Sequence, residues 1–352
     1  MDIKNKEDRK KNVLEHIVCS YVHTSTPVSS KTVSQDIEGR VSSATVRNIM
    51  AELERDGYIE QPHTSAGRVP TSRGYRKYVE EIKIHIQFEK NEAQRLAAEY
   101  DRHINTLKEV IEKTSFLISR QLQNAGVVMW PSINDLYLKH IELIKIKAET
   151  VLAILVTMTN AVKNYIVELE KDLEKTDLEK IANYINANYE HTNLSDISYR
   201  LSIVKDGEFV EENEEEIRGI KRSAMGIIDA IFKSNVENEM CCDGLDHVIN
   251  EPTFHDQNIA KNLMKMLSAP KDIARIMRGE LPDNGLRVYI GDESGTEALK
   301  ECSIITCGYD LYGKTAGRLG VIGPMRMDYR RALGTITSLA EIISAKLEEI
   351  DK

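Results

Sequence analysis

Ser42-Ser43-Ala44-Thr45-Val46-Arg47-Asn48-Ile49-Met50-Ala51-Glu52-Leu53-Glu54 is the stretch on which the reading of the chain turns. Ser42 is a good N-cap, and Val41 before it with Val46 four positions after it has the spacing of a hydrophobic staple, so a helix is expected to start here. At about 100° per residue, Val46, Ile49, Met50 and Leu53 share one face. Ala44, Arg47, Asn48, Ala51 and Arg55 fall on or near the other, with Thr45 and Glu52 on a flank. A solvated helix face ordinarily carries Glu and Lys. Small alanines beside Arg and Asn suit bidentate contacts with guanine and adenine edges, because the alanines let the backbone come close to a major groove. Ser43, Thr45, Arg47 and Asn48 are therefore the candidate base-reading residues.

The segments around this helix strengthen the reading. From Asn12 to Val22, Val13, Leu14, Ile17, Val18, Tyr21 and Val22 recur at helical spacing, and the helix stops in His23-Thr24-Ser25-Thr26-Pro27. Ser29 or Ser30 offers an N-cap for a short second helix through Thr32, Val33 and Ile37, closed by Gly39. After Gly57, Tyr58-Ile59-Glu60-Gln61 and Arg68-Val69 read as two short strands, followed by a helix capped by Thr71 or Ser72 and running through Tyr75, Tyr78 and Val79. Three helices and a hairpin in this order are those of a winged helix-turn-helix, expected over residues 1–80. In that module the third helix enters the major groove, while hairpin, backbone amides and basic side chains hold phosphates. His63, Ser65, Arg68 and Arg73 are candidates for the DNA backbone or adjacent minor groove, with Arg76 and Lys77 as further phosphate anchors.

The charge distribution agrees with a local cationic face on an acidic protein. The 352 residues carry a net charge of −9, but residues 1–80 hold 13 Lys+Arg against 11 Asp+Glu, and the remainder 34 against 45. Pro62 to Tyr78 contains Arg68, Arg73, Arg76 and Lys77 and no acid. With 41% hydrophobic and 29% charged residues, the chain is expected to be globular, in two or three compact units. Its longest apolar run, Val151 to Val156, is far too short to span a bilayer, and Met1-Asp2-Ile3-Lys4-Asn5-Lys6 has no apolar signal core, so a cytoplasmic protein, nucleoid-associated when bound and without membrane partners, is expected. Cys19, Cys241, Cys242, Cys302 and Cys307 lack paired metal-site spacing and read as reduced thiols.

Further along, Glu81 to Asn124 is helical in pattern, with Ile104, Leu107, Ile111, Leu117, Ile118 and Leu122 as an apolar stripe; 81–123 reads as a helical linker. Strands are expected near Lys139 to Ile146, Thr150 to Met158 and Val162 to Leu169, and again near Leu286 to Gly291, Ser303 to Tyr309 and Ala316 to Ile322. A last helix is expected from Asp328 to about Ile350. Two half-sheets flanking a mostly helical stretch, Leu178 to Met277, fit one α+β domain with an insertion. Within that stretch Asp206 to Glu216 carries seven acids and reads as a solvated loop and helix start, and Ile220, Ala224, Ile227, Ile228 and Ile231 form an apolar helix face.

Ser42 to Glu54, followed by Tyr58-Ile59-Glu60-Gln61-Pro62-His63-Thr64-Ser65-Ala66-Gly67-Arg68-Val69-Pro70-Thr71 and Gly74-Tyr75-Arg76, resembles the HrcA family of bacterial heat-inducible transcription repressors. Gly317-Arg318-Leu319-Gly320-Val321-Ile322-Gly323-Pro324-Met325-Arg326-Met327-Asp328-Tyr329 resembles that family's second signature. The resemblance implies a multidomain α+β protein: a winged helix-turn-helix, a GAF-like antiparallel-sheet domain (124–175 and 278–352) and a mostly helical dimerising domain inserted into it (176–277). It further implies a homodimer that binds an inverted-repeat operator, CIRCE, upstream of chaperone genes, and a chaperonin partner, GroEL, that keeps the repressor active.

Other functions compete less well. Gly313, Gly317, Gly320 and Gly323 invite a phosphate-loop reading, but they bracket the apolar strand Leu319 to Ile322, and Gly313-Lys314-Thr315 lacks the upstream glycine of a Walker sequence. Neither a Gly-x-Ser-x-Gly elbow nor His-Glu-x-x-His is present, and no catalytic residue, metal ligand or cofactor is expected. A repressor that senses a small molecule in its GAF-like domain remains an alternative.

Overall fold

The computed structural model describes residues 6–37, 41–63, 66–83, 90–100, 104–132, 136–169, 171–203, 214–234, 240–249, 270–278 and 285–350. The N-terminal unit runs α1 (Lys6–Thr24), α2 (Ser30–Asp36), α3 (Ser43–Arg55), β1 (Ile59–Glu60), β2 (Val69–Pro70) and α4 (Ser72–Lys83). Hydroxyls start three of the helices. Ser29 Oγ accepts the Thr32 N–H at 3.1 Å, Ser42 Oγ that of Thr45 at 3.2 Å, and Thr71 Oγ1 that of Gly74 at 3.1 Å. Helix α1 begins well before Asn12, since its polar first turn places Glu7 and Asp8 at the positive end of the helix dipole. Val13, Ile17 and Val18 of α1, Val33 of α2, Val46, Met50 and Leu53 of α3 and Tyr75 and Val79 of α4 share the core, with Val41 packed partly buried against it. Strands β1 and β2 pair antiparallel, Ile59 opposite Pro70.

The chain continues through α5 (Lys90–Ala98), α6 (Leu107–Leu122), β3 (Ala125–Met129), β4 (Leu138–Lys147), β5 (Thr150–Thr157), β6 (Val162–Glu168), α7 (Lys175–Tyr189), α8 (Leu194–Ile203) and α9 (Glu214–Ser234). It then forms β7 (Met240–Asp243), α10 (Leu245–Ile249), α11 (Pro270–Arg278), β8 (Arg287–Ile290), β9 (Cys302–Leu311), β10 (Lys314–Pro324) and α12 (Tyr329–Ile350). Two sheets result, both antiparallel: β7-β3-β10-β9-β8 and β4-β5-β6. The six expected strands and the final helix are all present, but their grouping differs from expectation. The two half-sheets do not pair: β4–β6 form a separate sheet packed on α7 and α9. What joins β8–β10 is β3 and β7, which the pattern had not marked. Ala125-Gly126-Val127-Val128-Met129 is buried at every position, so it shows no alternation, and Met240–Asp243 is only four residues long.

The insertion is correspondingly redrawn. Met129 lies opposite Met240, so the chain leaves the five-stranded sheet and returns beside its point of exit. The inserted unit is β4 through α9 rather than 176–277, and the sheet domain regains β7, α10 and α11. The linker assignment for 81–123 also fails over its second half: α6 buries Leu107, Val110, Ile111, Leu117 and Ile118 against β3 and α12, and Ser115 Oγ donates to the Gly126 carbonyl at 2.8 Å. Its apolar stripe makes it a layer of the domain. On the opposite face of the sheet, Ala125, Val127, Met129, Ile304 and Ile322 meet Val248 of α10 and Ile273 and Met277 of α11. With helices on both faces, β9 and β10 are buried almost throughout.

In the inserted unit, Ala224, Ile227, Ile228 and Ile231 are buried, α9 packing on β6, α7 and α8. Of the acidic run Asp206 to Glu216, residues 206–213 lie outside the described residues. At the β4 edge, Asn186 of α7 accepts the Ile141 N–H at 2.8 Å and donates to the Ile141 carbonyl at 3.0 Å. Its amide thus takes both positions of a neighbouring peptide group.

The glycines of β10 serve packing. A Cβ on Gly317 would collide with the ring and hydroxyl of Tyr309, whose hydroxyl donates to the Met129 carbonyl at 2.6 Å, and one on Gly320 would meet the Ile305 carbonyl. Gly317→Ala forces Tyr309 off this bond and is expected to destabilise the protein by about 1–3 kcal/mol, read as a lower urea midpoint.

Candidate nucleic-acid interface

Because α3 buries Val46, Ile49, Met50 and Leu53, its other side is committed to solvent: Ala44, Arg47, Asn48, Ala51 and Arg55 are all exposed. Among the described residues, the side chains of Arg47 and Asn48 make no hydrogen bond or ion pair within the chain, so their donors and acceptors are available to a partner. Ser43 and Thr45 are half-buried and locally engaged. Ser43 Oγ lies 3.2 Å from Ser30 Oγ, joining the starts of α2 and α3, and Thr45 Oγ1 lies 2.9 Å from Ser42 Oγ in the cap.

The acids of α3 and its C-cap are each covered by a base. Glu52 receives Lys6 at 2.9 Å and Lys10 at 3.0 Å, and these hydrogen bonds hold its carboxyl below the ordinary range. Lys10 also reaches Asp56 at 3.3 Å, and its bonds to Glu52 first and to Asp56 second raise the lysine's own affinity for its proton. Glu54 takes Arg68 Nε at 3.0 Å and Nη2 at 2.9 Å. The face of α3 is thereby left with Arg47 and Arg55 as its exposed charges.

The acid-free segment Pro62 to Tyr78 is far less cationic in space than in sequence. Arg68 is spent on Glu54 and, through its backbone, on Val28, with Val28 N to Arg68 O at 2.9 Å and Arg68 N to Val28 O at 2.8 Å. A Cβ on Gly67 would strike the Val28 carbonyl, so only glycine lets the hairpin lie this close to the loop before α2. Arg76 is bidentate to Glu293 and donates Nη2 to the Val288 carbonyl at 2.7 Å, which turns it toward the five-stranded sheet. Lys77 pairs with Glu81 at 3.2 Å. Arg73 alone of the four is exposed and without an acid; its guanidinium sits 5.1 Å from the Tyr58 ring centroid, a cation–π contact that leaves its outer donors free. His63 is exposed on the hairpin loop, and Ser65 lies outside the described residues. The acids that neutralise Arg68 and Arg76 come from 14 and 217 residues away, and no local pattern announces them.

Elsewhere, a cleft of about 580 Å³ lies beside α1 and α4. Its cations are already matched, Lys11 with Glu81 at 3.0 Å and Arg330 with Glu15 at 2.9 Å. Among the described residues no group of three or more His, Cys, Asp or Glu is arranged to hold a metal ion, and no helix is long and apolar enough to cross a membrane. Burial pushes the Cys242 and Cys302 thiols up to about 12, away from thiolate chemistry.

The HrcA protein C-terminal domain family matches residues 108–333. A heat-inducible transcription repressor HrcA from Syntrophobacter fumaroxidans is 34% identical over 346 residues, covering 97% of both chains, and one from Brevibacillus brevis is 34% identical over 342 residues with the same coverage. A crystal structure of a hypothetical protein at 2.2 Å resolution shares the fold with a TM-score of 0.65 at 24% identity, covering 97% of this chain and 99% of that one. The named relatives are transcription repressors, a regulatory and non-enzymatic role. With a family match across more than half its length and such relatives along nearly all of it, the chain belongs to the HrcA family of heat-inducible transcription repressors.

Proposed function

We propose that the N-terminal unit is a winged helix-turn-helix and that α3 is its recognition helix, reading one half of an inverted-repeat, CIRCE-type operator upstream of chaperone genes so that bound protein occludes the promoter. The observation that carries this reading is the exposed, alanine-backed face of α3, whose Arg47 and Asn48 make no hydrogen bond or ion pair among the described residues while Glu52, Glu54 and Asp56 are each paired with a base. Arg47 and Asn48 supply base contacts. Ser43 and Thr45 stiffen the helix start at the groove floor. Arg73, with His63 on the wing, supplies phosphate contacts, and Arg68 holds the wing in place.

Arg47→Ala is expected to cost about 1–3 kcal/mol on the operator and little on a random duplex, whereas Arg73→Ala weakens both alike and reduces the salt slope by about 1. Gel-shift titrations on both duplexes at several salt concentrations check this. Equal effects of the two substitutions on operator and random DNA would overturn the division of roles.

The five-stranded sheet with its flanking helices is the GAF-like domain in this reading, and the inserted unit provides the dimer contact. On β4–β6, α7 and α9 cover one face only. The outward face aligns Ile144, Leu152 and Ile166 across the three strands, beside Val156 and Val162. Ile166 is 67% and Val162 60% exposed, an apolar patch suited to a second copy about a two-fold axis. Ile166→Glu is expected to give monomers in sedimentation analysis and to lose tight operator binding while single half-site binding persists.

In this reading heat control acts on folding, and the topology supports it. Strand β3 pairs with β10, Val128 opposite Leu319, across about 190 residues and a whole inserted unit. Such non-local pairing folds slowly and exposes sheet edges meanwhile. A chaperonin of the GroEL type shelters this step, and unfolded clients compete for it on heating. Refolding denatured protein with GroEL is expected to raise the operator-binding fraction severalfold over refolding alone; equal recovery would refute this arm.

A further inference from the structure

The N-terminal unit meets the five-stranded domain through charged contacts at two separate places, one on α4 and one on α1. On α4, Arg76 grips Glu293 with both Nε and Nη2 and adds the bond to the Val288 carbonyl, while Lys83 Nζ donates to the Leu286 carbonyl at 3.0 Å. Glu293 is itself oriented, because the same Oε2 accepts the Ile290 N–H at 2.9 Å within the tight turn Gly291–Ser294. At the second place, Arg330 Nη2 reaches Glu15 Oε1 at 2.9 Å, and Arg326 Nη1 takes the Val22 carbonyl of the last turn of α1 at 2.9 Å. Between the two, the Tyr75 and Tyr329 rings pack with centroids 5.6 Å apart, and Ser72 Oγ sits 3.4 Å from Met325 Sδ.

One contact of this kind would tether the N-terminal unit and leave it free to swivel. Two, on different helices, remove the swivel: α1 and α4 are packed in one core with α3, so holding both fixes the direction in which α3 points from the sheet domain. In a dimer whose subunits are joined elsewhere, that direction decides how far apart two recognition helices stand and at what angle around the duplex. Since B-DNA turns once in about 10–10.5 base pairs, a spacing error of half a turn puts the second half-site on the wrong side of the helix.

We propose that the Arg76–Glu293 and Arg330–Glu15 pairs are positioning contacts that set the operator spacing the repressor accepts, and that neither touches DNA. The inference rests on the reading of the protein as a dimer with α3 in the major groove. It assigns to Arg76 a role opposite to a phosphate anchor, for its guanidinium is held by an acid and a carbonyl of the neighbouring domain.

The test uses full-length protein and a series of synthetic duplexes carrying the operator's two half-sites with the spacer lengthened one base pair at a time through a full turn, plus a duplex with a single half-site. Wild type is expected to bind the natural spacing at least tenfold more tightly than spacings offset by five base pairs. Glu293→Gln keeps an oxygen for the Ile290 N–H but loses the charged fork. It is expected to narrow that preference to within about threefold and to leave single half-site affinity within twofold. Arg330→Gln, on an exposed side chain, acts in the same direction and guards against a folding defect in the first variant; melting temperature is followed for both. Retention of the full spacing preference in both variants overturns the proposal, as does a parallel loss of half-site affinity, which would place these groups on DNA. Failure of wild type to prefer the inverted repeat over random duplex would instead sink the underlying reading of function.

Discussion

Strand β10 is the constraint to which the rest of the molecule is attached. It pairs with β3 on one side and β9 on the other, burying nearly every residue from Ala316 onward, and it hands the chain directly to α12. Both partners demand close approach, which is why its glycines cannot carry side chains: Tyr309 crosses the position a Cβ on Gly317 would fill in order to bond the Met129 carbonyl. Through β3 the strand fixes the two ends of the inserted unit, and through Met325, Arg326 and Arg330 beyond its end it seats the N-terminal unit. Both the proposed dimer contact and the proposed DNA contact are therefore referred to one frame.

The electrostatics of the N-terminal unit show why net charge is a poor guide to a binding face. Counting along the chain gives a barely positive segment; in space, Lys6, Lys10 and Arg68 are directed onto Glu52, Asp56 and Glu54. Exposed pairs of this kind add little to stability. Their effect is to remove negative potential from the surface of α3, so that Arg47, Arg55 and Arg73 act without nearby repulsion.

Much of the fold was legible in the sequence, and what was not has physical causes. Caps and apolar periodicity located α2, α3 and α4 to within a residue or two at their starts, because Ser29, Ser42 and Thr71 satisfy specific backbone donors. Strand-like apolar composition located β4, β5 and β6, β5 as the unbroken run Val151 to Val156. That signal is weak for β3, whose Ala125 and Gly126 are poor strand formers, and for β7, whose Met-Cys-Cys-Asp has no β-branched or aromatic residue, so order along the chain alone misgroups the strands and the bounds of the insertion. At the candidate site, the helical period alone was enough to put Arg47 and Asn48 outward. The fates of Arg68 and Arg76 depended on Glu54 and Glu293, acids brought in by tertiary structure. Charge partners at long sequence separation leave no local trace.

The carboxamide that Asn186 lays along β4 has a consequence for how many copies can gather. An open sheet can grow indefinitely, each newcomer presenting the same unsatisfied border to the next. Here one border has its Ile141 peptide already answered from within the subunit, by a side chain too short to extend the ladder. Addition of a second chain along this rim is thereby disfavoured, which is consistent with the proposed dimer contact lying on the flat side instead. One route to a fibre is in this way made harder at its first step.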